Sequence, residues 1–237
     1  APGFVKSCEL ALEHGWSKEH IGSHVVRNNH ISHCEKNGIH GSLGGIFSTI
    51  EGNTICDITV QGWIDGHDTG GLKLLGSHDV IIRNNHIYRT HGRAGIWIDW
   101  MAQGARVTGN LLHDNRKWDL FVEVNHGPFL VDNNIFLSKV NLLEASGGGA
   151  YAHNLFTGII KLREELERET PYHKPHSTKI LGMSKVIGDD ERFYNNLFTG
   201  KDGLSGYNKW KPDHLQAVGN VYLAGTKPSL KDQGELI

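Results

Sequence analysis

Short apolar runs separated by polar corners repeat along most of the chain. Clear examples occupy residues 25–27, 80–83, 105–107 and 129–131, and they consist of Val, Ile, Ala, Leu and Phe with an Arg in three of them. Runs of three or four residues are too short for helices, and their β-branched members favour extended backbone. The pattern therefore predicts a chain built mainly from short strands.

An asparagine follows each of these runs within three residues, and the same setting recurs elsewhere. The asparagines that share it are Asn29, Asn53, Asn85, Asn110, Asn134, Asn154, Asn196 and Asn220. Their successive intervals are 24, 32, 25, 24, 20, 42 and 24 residues. A base period near 24 residues with occasional insertions is typical of a solenoid, in which each coil packs only on its neighbours.

Short strands joined by Gly, Asn and Asp corners, at one coil per twenty-odd residues, predict an all-β fold, a right-handed parallel β-helix. Asparagine tolerates the left-handed backbone that such corners need. Its amide can also hydrogen-bond to the equivalent amide one coil away, in a ladder with a repeat of about 4.8 Å. A leucine-rich repeat is the alternative solenoid, and the absence of a Leu-x-x-Leu-x-Leu pattern argues against it.

We expect one solenoid domain over residues 1–237, with an extra loop within residues 56–79 and an insertion at residues 159–192. Within the insertion, residues 161–169 are charged and periodic enough to predict a short amphipathic helix, stopped by Pro171. The insertion is either a solvated excursion or a rim over an active site. Residues 9–20 are expected to form a short helix or an irregular corner.

The chain begins without Met and in the middle of the pattern, which predicts a fragment of a longer protein. Its location therefore stays open, with the cytoplasm favoured. No apolar run approaches the roughly 18 residues of a membrane span, so we expect no membrane association. Self-association into a homo-oligomer is left open.

Charge and composition narrow the partners further. Lys and Arg number 24 against 26 Asp and Glu, so no basic field exists for a nucleic acid. The 16 histidines are scattered rather than placed at zinc spacings, and the three cysteines form no CxxC pair. We expect the cysteines to be small buried residues, and we expect neither a metal nor a cofactor.

Two acidic residues stand where apolar strand residues would suit a core. Asp99 precedes Asn110 by 11 residues, and Glu123 precedes Asn134 by the same interval, so the two should occupy equivalent positions on neighbouring coils. Stacked coils would bring the carboxyl groups to about 5 Å, the separation that retaining glycosidases use. Mutual repulsion would leave one of them protonated, giving an acid beside a nucleophile. The alternative is that both simply face solvent.

Aromatic and polar residues surround this pair in the sequence. Trp97 and Trp100 flank Asp99, and indole faces suit the C–H faces of sugar rings, although both residues would also serve as core. Asn125 and His126 follow Glu123 and offer polar groups to sugar hydroxyls.

The preceding coil adds three further candidates for substrate binding, His67, Asp68 and Lys73. Asp68 lies 31 residues before Asp99 and is out of strict register, so its loop would have to bend it over the same groove. The alternative for Asp68 is an ordinary turn residue.

Longer stretches around these candidates resemble the β-xylosidases of glycoside hydrolase family 120. The similar stretches are residues 41–50, 83–90, 95–104 and 119–134, and the resemblance is strong over about residues 20–160. It implies a right-handed parallel β-helix core with an additional β-rich region, in chains much longer than this one. It also implies hydrolysis of xylosides with retention.

By the same resemblance, Asp99 in Trp-Ile-Asp-Trp is the implied nucleophile, and Glu123 in Phe-Val-Glu-Val-Asn-His-Gly is the implied acid/base. The family carries an acidic residue in a His-acid-Thr segment near the site. In this chain that residue is Asp68 where a Glu is expected, which leaves its role open.

The sequence therefore predicts an enzyme that releases xylose from the non-reducing end of β-1,4-xylo-oligosaccharides. A polysaccharide lyase is one alternative, but it would need a Lys or Arg base and a calcium cluster, and basic residues around the acidic pair are few in sequence. A non-enzymatic carbohydrate-binding β-helix is the other. It explains the solenoid but not two acids beside tryptophans.

Overall fold

The computed structural model describes residues 2–64, 68–211, 214–223, 225–232 and 235–236. A single helix in this part of the chain, α1 (Pro2–Glu13), precedes the strands. The strands, in chain order, are β1 (Val25–Arg27), β2 (His30–Ser32), β3 (Asn37–Gly41), β4 (Thr49–Glu51), β5 (Thr54–Ile58), β6 (Gly70–Leu75), β7 (Ile81–Arg83), β8 (His86–Thr90), β9 (Ala94–Asp99), β10 (Arg106–Thr108), β11 (Leu111–His113), β12 (Trp118–Glu123), β13 (Phe129–Asp132), β14 (Ile135–Phe136), β15 (Val140–Ala145), β16 (Gly149–Ala152), β17 (Leu155–Phe156), β18 (Ile159–Leu162), β19 (Glu169–His173), β20 (Ile180–Lys185), β21 (Arg192–Tyr194), β22 (Leu197–Phe198), β23 (Gln216–Val218), β24 (Val221–Tyr222) and β25 (Glu235–Leu236). Two 3₁₀ turns occupy Leu43–Gly45 and Ser205–Lys209.

The strands form three long parallel sheets, and each coil adds one strand to most of them. Sheet A has the order β1-β4-β7-β10-β13-β16-β21-β23, and sheet B has the order β2-β5-β8-β11-β14-β17-β22-β24-β25. Sheet C has the order β18-β15-β12-β9-β6-β3. Each neighbour in a sheet is the corresponding strand of the next coil, so the predicted parallel β-helix is confirmed.

The asparagine ladder is present over its full predicted length. Each Oδ1 beyond the first rung accepts from the backbone N–H and the Nδ2 of the preceding asparagine, as in the pairs of Asn85 with Asn110 (2.9 and 3.0 Å) and Asn110 with Asn134 (2.9 and 2.9 Å). The Nδ2 of Asn110 also donates to the carbonyl of Ile82 at 3.0 Å. The ladder therefore satisfies buried backbone groups at every corner between sheets A and B.

The left-handed backbone lies one residue before each ladder asparagine, not on it. The residues there are Asn28, Gly52, Asn84, Gly109, Asn133, His153, Asn195 and Gly219, with φ between +53° and +68°. The expected conformational role of asparagine is thus filled by the preceding position, which is Gly or Asn in seven coils and His153 in one, residue types that tolerate this region. The ladder residue itself contributes through its side chain.

Apolar side chains of equivalent residues stack along the interior. Phe136, Phe156, Phe198 and Tyr222 form a column of parallel rings with successive centroids 5.1, 5.3 and 5.0 Å apart. Each ring is at most 1 % exposed. Offset-stacked aromatic pairs stabilise by about 0.5–1.5 kcal/mol beyond simple burial, so this column ties the later coils together. Of the cysteines, Cys8 and Cys56 are buried and Cys34 is half-buried.

The insertion begins later than expected and contains no helix. Residues Ile159–Leu162 form β18 and pair with β15, so they still belong to a coil. Residues 163–168 form a loop, and β19 and β20 then make an antiparallel hairpin before β21 resumes the stack. The predicted helix over 161–169 is therefore wrong, because the start of that stretch completes sheet C and Arg163, Glu165 and Arg168 of the following loop reach back toward that sheet. Pro171 lies within β19 rather than stopping a helix.

The hairpin and the N-terminal segment close over one side of the stack. Helix α1 covers the earlier part of the 9–20 stretch, and a turn follows it. Trp16 donates to the carbonyl of Leu43 at 2.6 Å, and its own carbonyl accepts from Thr178 at 2.6 Å. Gln103 exchanges two hydrogen bonds with the backbone of His173, at 2.9 and 3.0 Å. No helix in the described ranges is long and apolar enough to cross a membrane.

Replacement of one interior ladder residue tests the ladder. We expect Asn110→Ala to lower the free energy of unfolding by about 2–4 kcal/mol, because it leaves the backbone N–H of Asn85 and the carbonyl of Ile82 buried without partners. Urea denaturation measures this. Asn29→Ala is the matched control, since Asn29 is exposed and is the first rung. Equal losses in the two variants would contradict a ladder function.

Three histidines in and beneath the hairpin predict a pH-dependent stability. Burial lowers the pKa of His78 to about 3, and it also lowers the pKa values of His126 and His173. The folded chain therefore binds fewer protons than the unfolded chain below pH about 6.5, and each group removes up to about 1.4 kcal/mol of stability per pH unit as the pH falls. We expect urea denaturation to show this loss between pH 7 and 5.

His78→Phe should flatten that dependence, because the His78 ring packs between Trp16 and His173 with centroids 5.4 and 4.1 Å away and no nitrogen of it has a partner in the described part of the chain. His24→Gln is the control, since His24 is exposed. An unchanged slope in His78→Phe would refute the assignment.

Candidate active site

The outer face of sheet C carries the candidate residues because strand side chains alternate. Along β9, Ile96 and Ile98 point into the core, and Trp97 and Asp99 point outward. The same alternation in β12 sends Leu120 and Val122 inward. The functional face is therefore every second residue of strands whose other residues build the core.

Asp99 and Glu123 are direct partners in register on adjacent parallel strands. The register prediction from their equal distances to the ladder is thus confirmed. Such neighbours lie about 4.8 Å apart along a sheet. Both are buried, at 8 % and 5 % exposure, so neither faces open solvent as the alternative required. The fold delivers two carboxyl groups side by side in a nearly dry setting.

Lys73, on β6, supplies the positive charge next to Asp99. Its Nζ lies 2.8 Å from Oδ2 of Asp99 and also contacts Oδ1 of Asp68. The side chain is 1 % exposed, and its ammonium sits 3.8 Å from the ring centroid of Trp97. A buried ammonium needs such partners, and here two carboxylates and an indole face provide them. Pairing with Lys73 lowers the pKa of Asp68.

Glu123 is held by three donors from two parts of the chain. The indole Nε1 of Trp97 donates to Oε2 at 3.1 Å. Arg163 and Arg168, both from the insertion loop, donate to Oε1 at 2.7 and 3.0 Å. Glu165 lies between the two guanidinium groups, 2.7 Å from Nε of Arg163 and 3.5 Å from Nε of Arg168. The insertion thus reaches the acidic pair.

Opposing influences act on the proton of Glu123. Burial raises its pKa first, and the neighbouring Asp99 carboxylate raises it further. The Arg168 and Arg163 charges lower it without cancelling the rise. The result is a carboxyl group with a raised pKa next to an ion-paired aspartate, which is the division of acid and nucleophile that two-carboxylate chemistry needs.

A cavity of about 480 Å³ opens over this pair. Its lining consists of Asp68, Arg93, Trp97, Asp99, Trp100, Phe121, Glu123, Arg163, Glu165 and Arg168. The volume suits one or two sugar rings, and the lining mixes aromatic faces with charged groups as small-ligand sites do. The insertion is therefore a rim over the cavity rather than a solvated excursion.

The predicted tryptophans both line the cavity, in different ways. Trp97 packs on Phe121 with ring centroids 4.9 Å apart, and it also contacts Lys73 and Glu123. Trp100 is 7 % exposed and donates from Nε1 to Oγ1 of Thr170 at 2.6 Å. Trp100 therefore also anchors the hairpin that follows the rim loop.

Two of the predicted binding residues lie elsewhere. Asn125 is fully buried and holds a corner, with its Nδ2 on the carbonyl of Ile98 at 3.2 Å and its Oδ1 on the N–H of Ala102 at 2.7 Å. His126 binds the carbonyl of Thr170 at 2.9 Å and lies outside the cavity lining. The expected contact of either residue with substrate is therefore corrected to a structural role. His67 lies outside the described residues.

Sequence reasoning missed Phe121, Arg93 and the three charged residues of the insertion loop. Phe121 had a signal, since it is the register partner of Trp97 and faces outward between Leu120 and Val122. The loop residues had none, because nothing in the linear pattern shows that residues 163–168 fold back onto a strand 40 positions earlier. The expectation of few basic residues near the acidic pair is wrong for the same reason.

In the described ranges, no three His, Cys, Asp or Glu side chains converge as ligands for a metal ion. The charged residues of the cavity are instead paired with one another. Lys73 forms ion pairs with Asp99 and Asp68, and the two loop arginines form ion pairs with Glu123 and Glu165.

Comparison with known proteins agrees with this architecture. The family described as "Right handed beta helix region" matches residues 20–158. Among solved structures, the chain is similar to XylC, determined as a complex with xylose, with a TM-score of 0.89 and 40 % sequence identity. The match covers 97 % of this chain and 40 % of XylC, so the chain spans well under half the length of that protein. The comparison with curated proteins gave no significant match.

A double-mutant cycle tests the buried ion pair. We expect Lys73→Met to lower the free energy of unfolding by about 2–4 kcal/mol at pH 7, because it strands the Asp99 carboxylate, whose side chain is only 11 % exposed. Asp99→Asn in the Lys73→Met background should recover part of that loss, giving a coupling of about 1–3 kcal/mol. Urea denaturation of the four proteins measures it. Strictly additive effects would show that the two groups do not depend on each other.

Proposed function

We propose that this chain, which belongs to the right-handed β-helix family and is 40 % identical to XylC over 97 % of its own length, hydrolyses β-xylosides with retention. The substrate would be the non-reducing end of β-1,4-xylo-oligosaccharides, and the product would be xylose. The observation that carries the proposal is the register pairing of Asp99 with Glu123 at the floor of the cavity. XylC, which was solved with xylose, supports the choice of sugar.

In the first step, Asp99 acts as nucleophile and Glu123 as acid. An Asp99 oxygen attacks the anomeric carbon while the Glu123 carboxyl gives its proton to the glycosidic oxygen. The C–O bond to the leaving sugar breaks, that sugar departs as an alcohol, and a xylosyl ester of Asp99 forms. The raised pKa of Glu123, caused by burial and by Asp99, favours the protonated form that this step needs.

In the second step, Glu123 acts as base. It takes a proton from a water molecule whose oxygen attacks the anomeric carbon, and the ester bond to Asp99 breaks. Xylose leaves with retained configuration, Asp99 regains its charge beside Lys73, and Glu123 is protonated again. Two inversions at one carbon account for the retention.

The aromatic residues would hold the sugar. We assign Trp97, Trp100 and Phe121 to the apolar faces of the xylose ring and Asp68 to its hydroxyl groups, while Lys73, which lies outside the cavity lining, holds Asp68 and Asp99 in place. Xylose lacks the exocyclic group of a hexose, which suits a cavity whose walls are large aromatic side chains.

The pairing of the charged groups argues against a lyase. Four carboxyl groups and three guanidinium groups surround the cavity. A lyase needs a Lys or Arg base, but Lys73 is held by Asp99 and Asp68, and the two loop arginines are held by Glu123 and Glu165. A purely carbohydrate-binding module would not require a carboxyl group with a raised pKa beside an ion-paired aspartate.

Aryl β-xyloside hydrolysis tests the roles. We expect Asp99→Gly to lower kcat by about 10⁴-fold or more, because no covalent intermediate forms. Added azide should then restore turnover and release the α-xylosyl azide, the product of a single inversion. Glu123→Ala with azide should instead release the β-xylosyl azide.

Asp114→Asn is the control, since the Asp114 side chain is 73 % exposed, pairs with His113 and lies outside the cavity lining. A β-configured azide from Asp99→Gly would exclude the nucleophile assignment. If the wild-type chain binds the sugar but shows no turnover, the binding-module alternative would be favoured.

A further inference from the structure

We propose that Arg163 and Arg168 are positioning residues that hold Glu123 as the base of the second step, once Asp99 has lost its charge to the sugar. The inference rests on the proposed function, because it assigns a role within that reaction. It adds to the roles of the two carboxyl groups a role for the insertion loop, which helps Glu123 change from acid to base between the two steps.

The geometry singles out one oxygen of Glu123. Both guanidinium groups donate to Oε1, at 2.7 Å from Arg163 and 3.0 Å from Arg168. Oε2 accepts from the indole N–H of Trp97 at 3.1 Å, and neither loop arginine donates to it. Two cationic donors on Oε1 occupy its lone pairs, so the transferable proton sits on Oε2. The same carboxyl group therefore has one oxygen anchored to the loop and one free for proton transfer.

The two arginines are themselves held in place. Glu165 bridges them through Oε1 to Arg163 and Oε2 to Arg168, at 2.7 and 3.5 Å. The Arg163 guanidinium also lies 4.9 Å from the ring centroid of Phe121. Beyond the loop, Thr170 of β19 is fixed by the indole of Trp100. The arrangement is pre-organised, which lets the charges act without reorganising during the reaction.

Several charged groups face Glu123 from the elements around it. Asp99 lies on one neighbouring strand, with Lys73 behind it, and the loop supplies both arginines and Glu165. Arg93 and Asp68 complete the charged lining of the cavity. On the other side, in β15, the register partner of Glu123 is Ala145, and the titratable Glu144 next to it is paired with Val122 in register and accepts from Ser146 and Tyr151.

The reaction itself changes this balance. In the free enzyme the Asp99 carboxylate opposes ionisation of Glu123 and the arginines favour it. When Asp99 becomes an ester its negative charge disappears, and the two arginines remain as the charges in direct contact with Glu123. Their two positive charges then favour the carboxylate that must take a proton from water. The arginines thus make the acid of the first step into the base of the second.

Titration of Glu123 by ¹³C NMR tests this without relying on activity. In the wild-type chain labelled at the Glu side-chain carboxyl, the Glu123 signal is identified by its loss in Glu123→Gln. We expect Arg163→Gln and Arg168→Gln each to raise the measured midpoint by about 0.5–1 pH unit, a discounted value because both guanidinium groups are more than a third exposed. Asp99→Asn, which imitates the uncharged ester, should lower it.

Kinetics on an activated aryl β-xyloside, for which the second step limits kcat, supply the functional measurement. Loss of either arginine should shift the acidic limb of the kcat–pH profile to higher pH, by the same amount as it shifts the NMR midpoint. Activity should fall severalfold at pH 5 and stay near wild type at pH 8. Arg168→Lys should leave the acidic limb close to its wild-type pH, because lysine keeps the positive charge.

Arg83→Gln is the matched control, since Arg83 pairs with Glu51 on the outer surface. Midpoints unchanged in both glutamine variants, or a uniform loss of kcat at every pH, would overturn the inference. A wild-type chain that shows the NMR shifts but hydrolyses no xyloside would overturn the proposed function and would still support the charge assignment.

Discussion

The in-register stacking of successive coils is the constraint on which the rest of this structure depends. Parallel strands must align their backbone groups, so a residue in one coil lies directly over its equivalent in the next. The buried asparagine ladder locks this alignment at one corner, where Asn110 bonds to the rungs on both sides of it. Because one face of every strand is buried, a slip of one residue would send the core outward. The same alignment brings Asp99 and Glu123 together.

Placing acids in a sheet that is buried on both faces carries an electrostatic cost, and the charges around the site offset it. Lys73 is almost fully buried and finds two carboxylates and an indole. Glu123 receives two guanidinium groups and an indole N–H. Each of these charged groups is desolvated, but each has a partner of opposite charge. Buried groups can stay charged under that condition. The pairing leaves the two central carboxyl groups in unlike environments, and that difference is chemically useful.

The insertion links stability to the site. Its first strand still belongs to sheet C, its loop enters the cavity, and its hairpin covers buried histidines next to Trp16. Trp100 spans both functions, since it lines the cavity and hydrogen-bonds Thr170 of the hairpin. A change in the packing of the hairpin would therefore move Arg163 and Arg168 and alter their contacts with Glu123. Long loops on rigid scaffolds commonly carry function, and this one is held at both ends.

The sequence by itself determined the coil repeat, the asparagine ladder, the parallel β-helix and the register of Asp99 with Glu123, because a solenoid turns equal spacing along the chain into contact between coils. It also indicated Lys73, Trp97 and Trp100, which alternate with or adjoin core residues. Only the tertiary structure decided that Asn125 and His126 turn away from the cavity, and that residues 163–168 form an arginine-bearing rim rather than a helix. Those outcomes depend on how an irregular insertion packs against distant strands, and no periodic pattern encodes such packing.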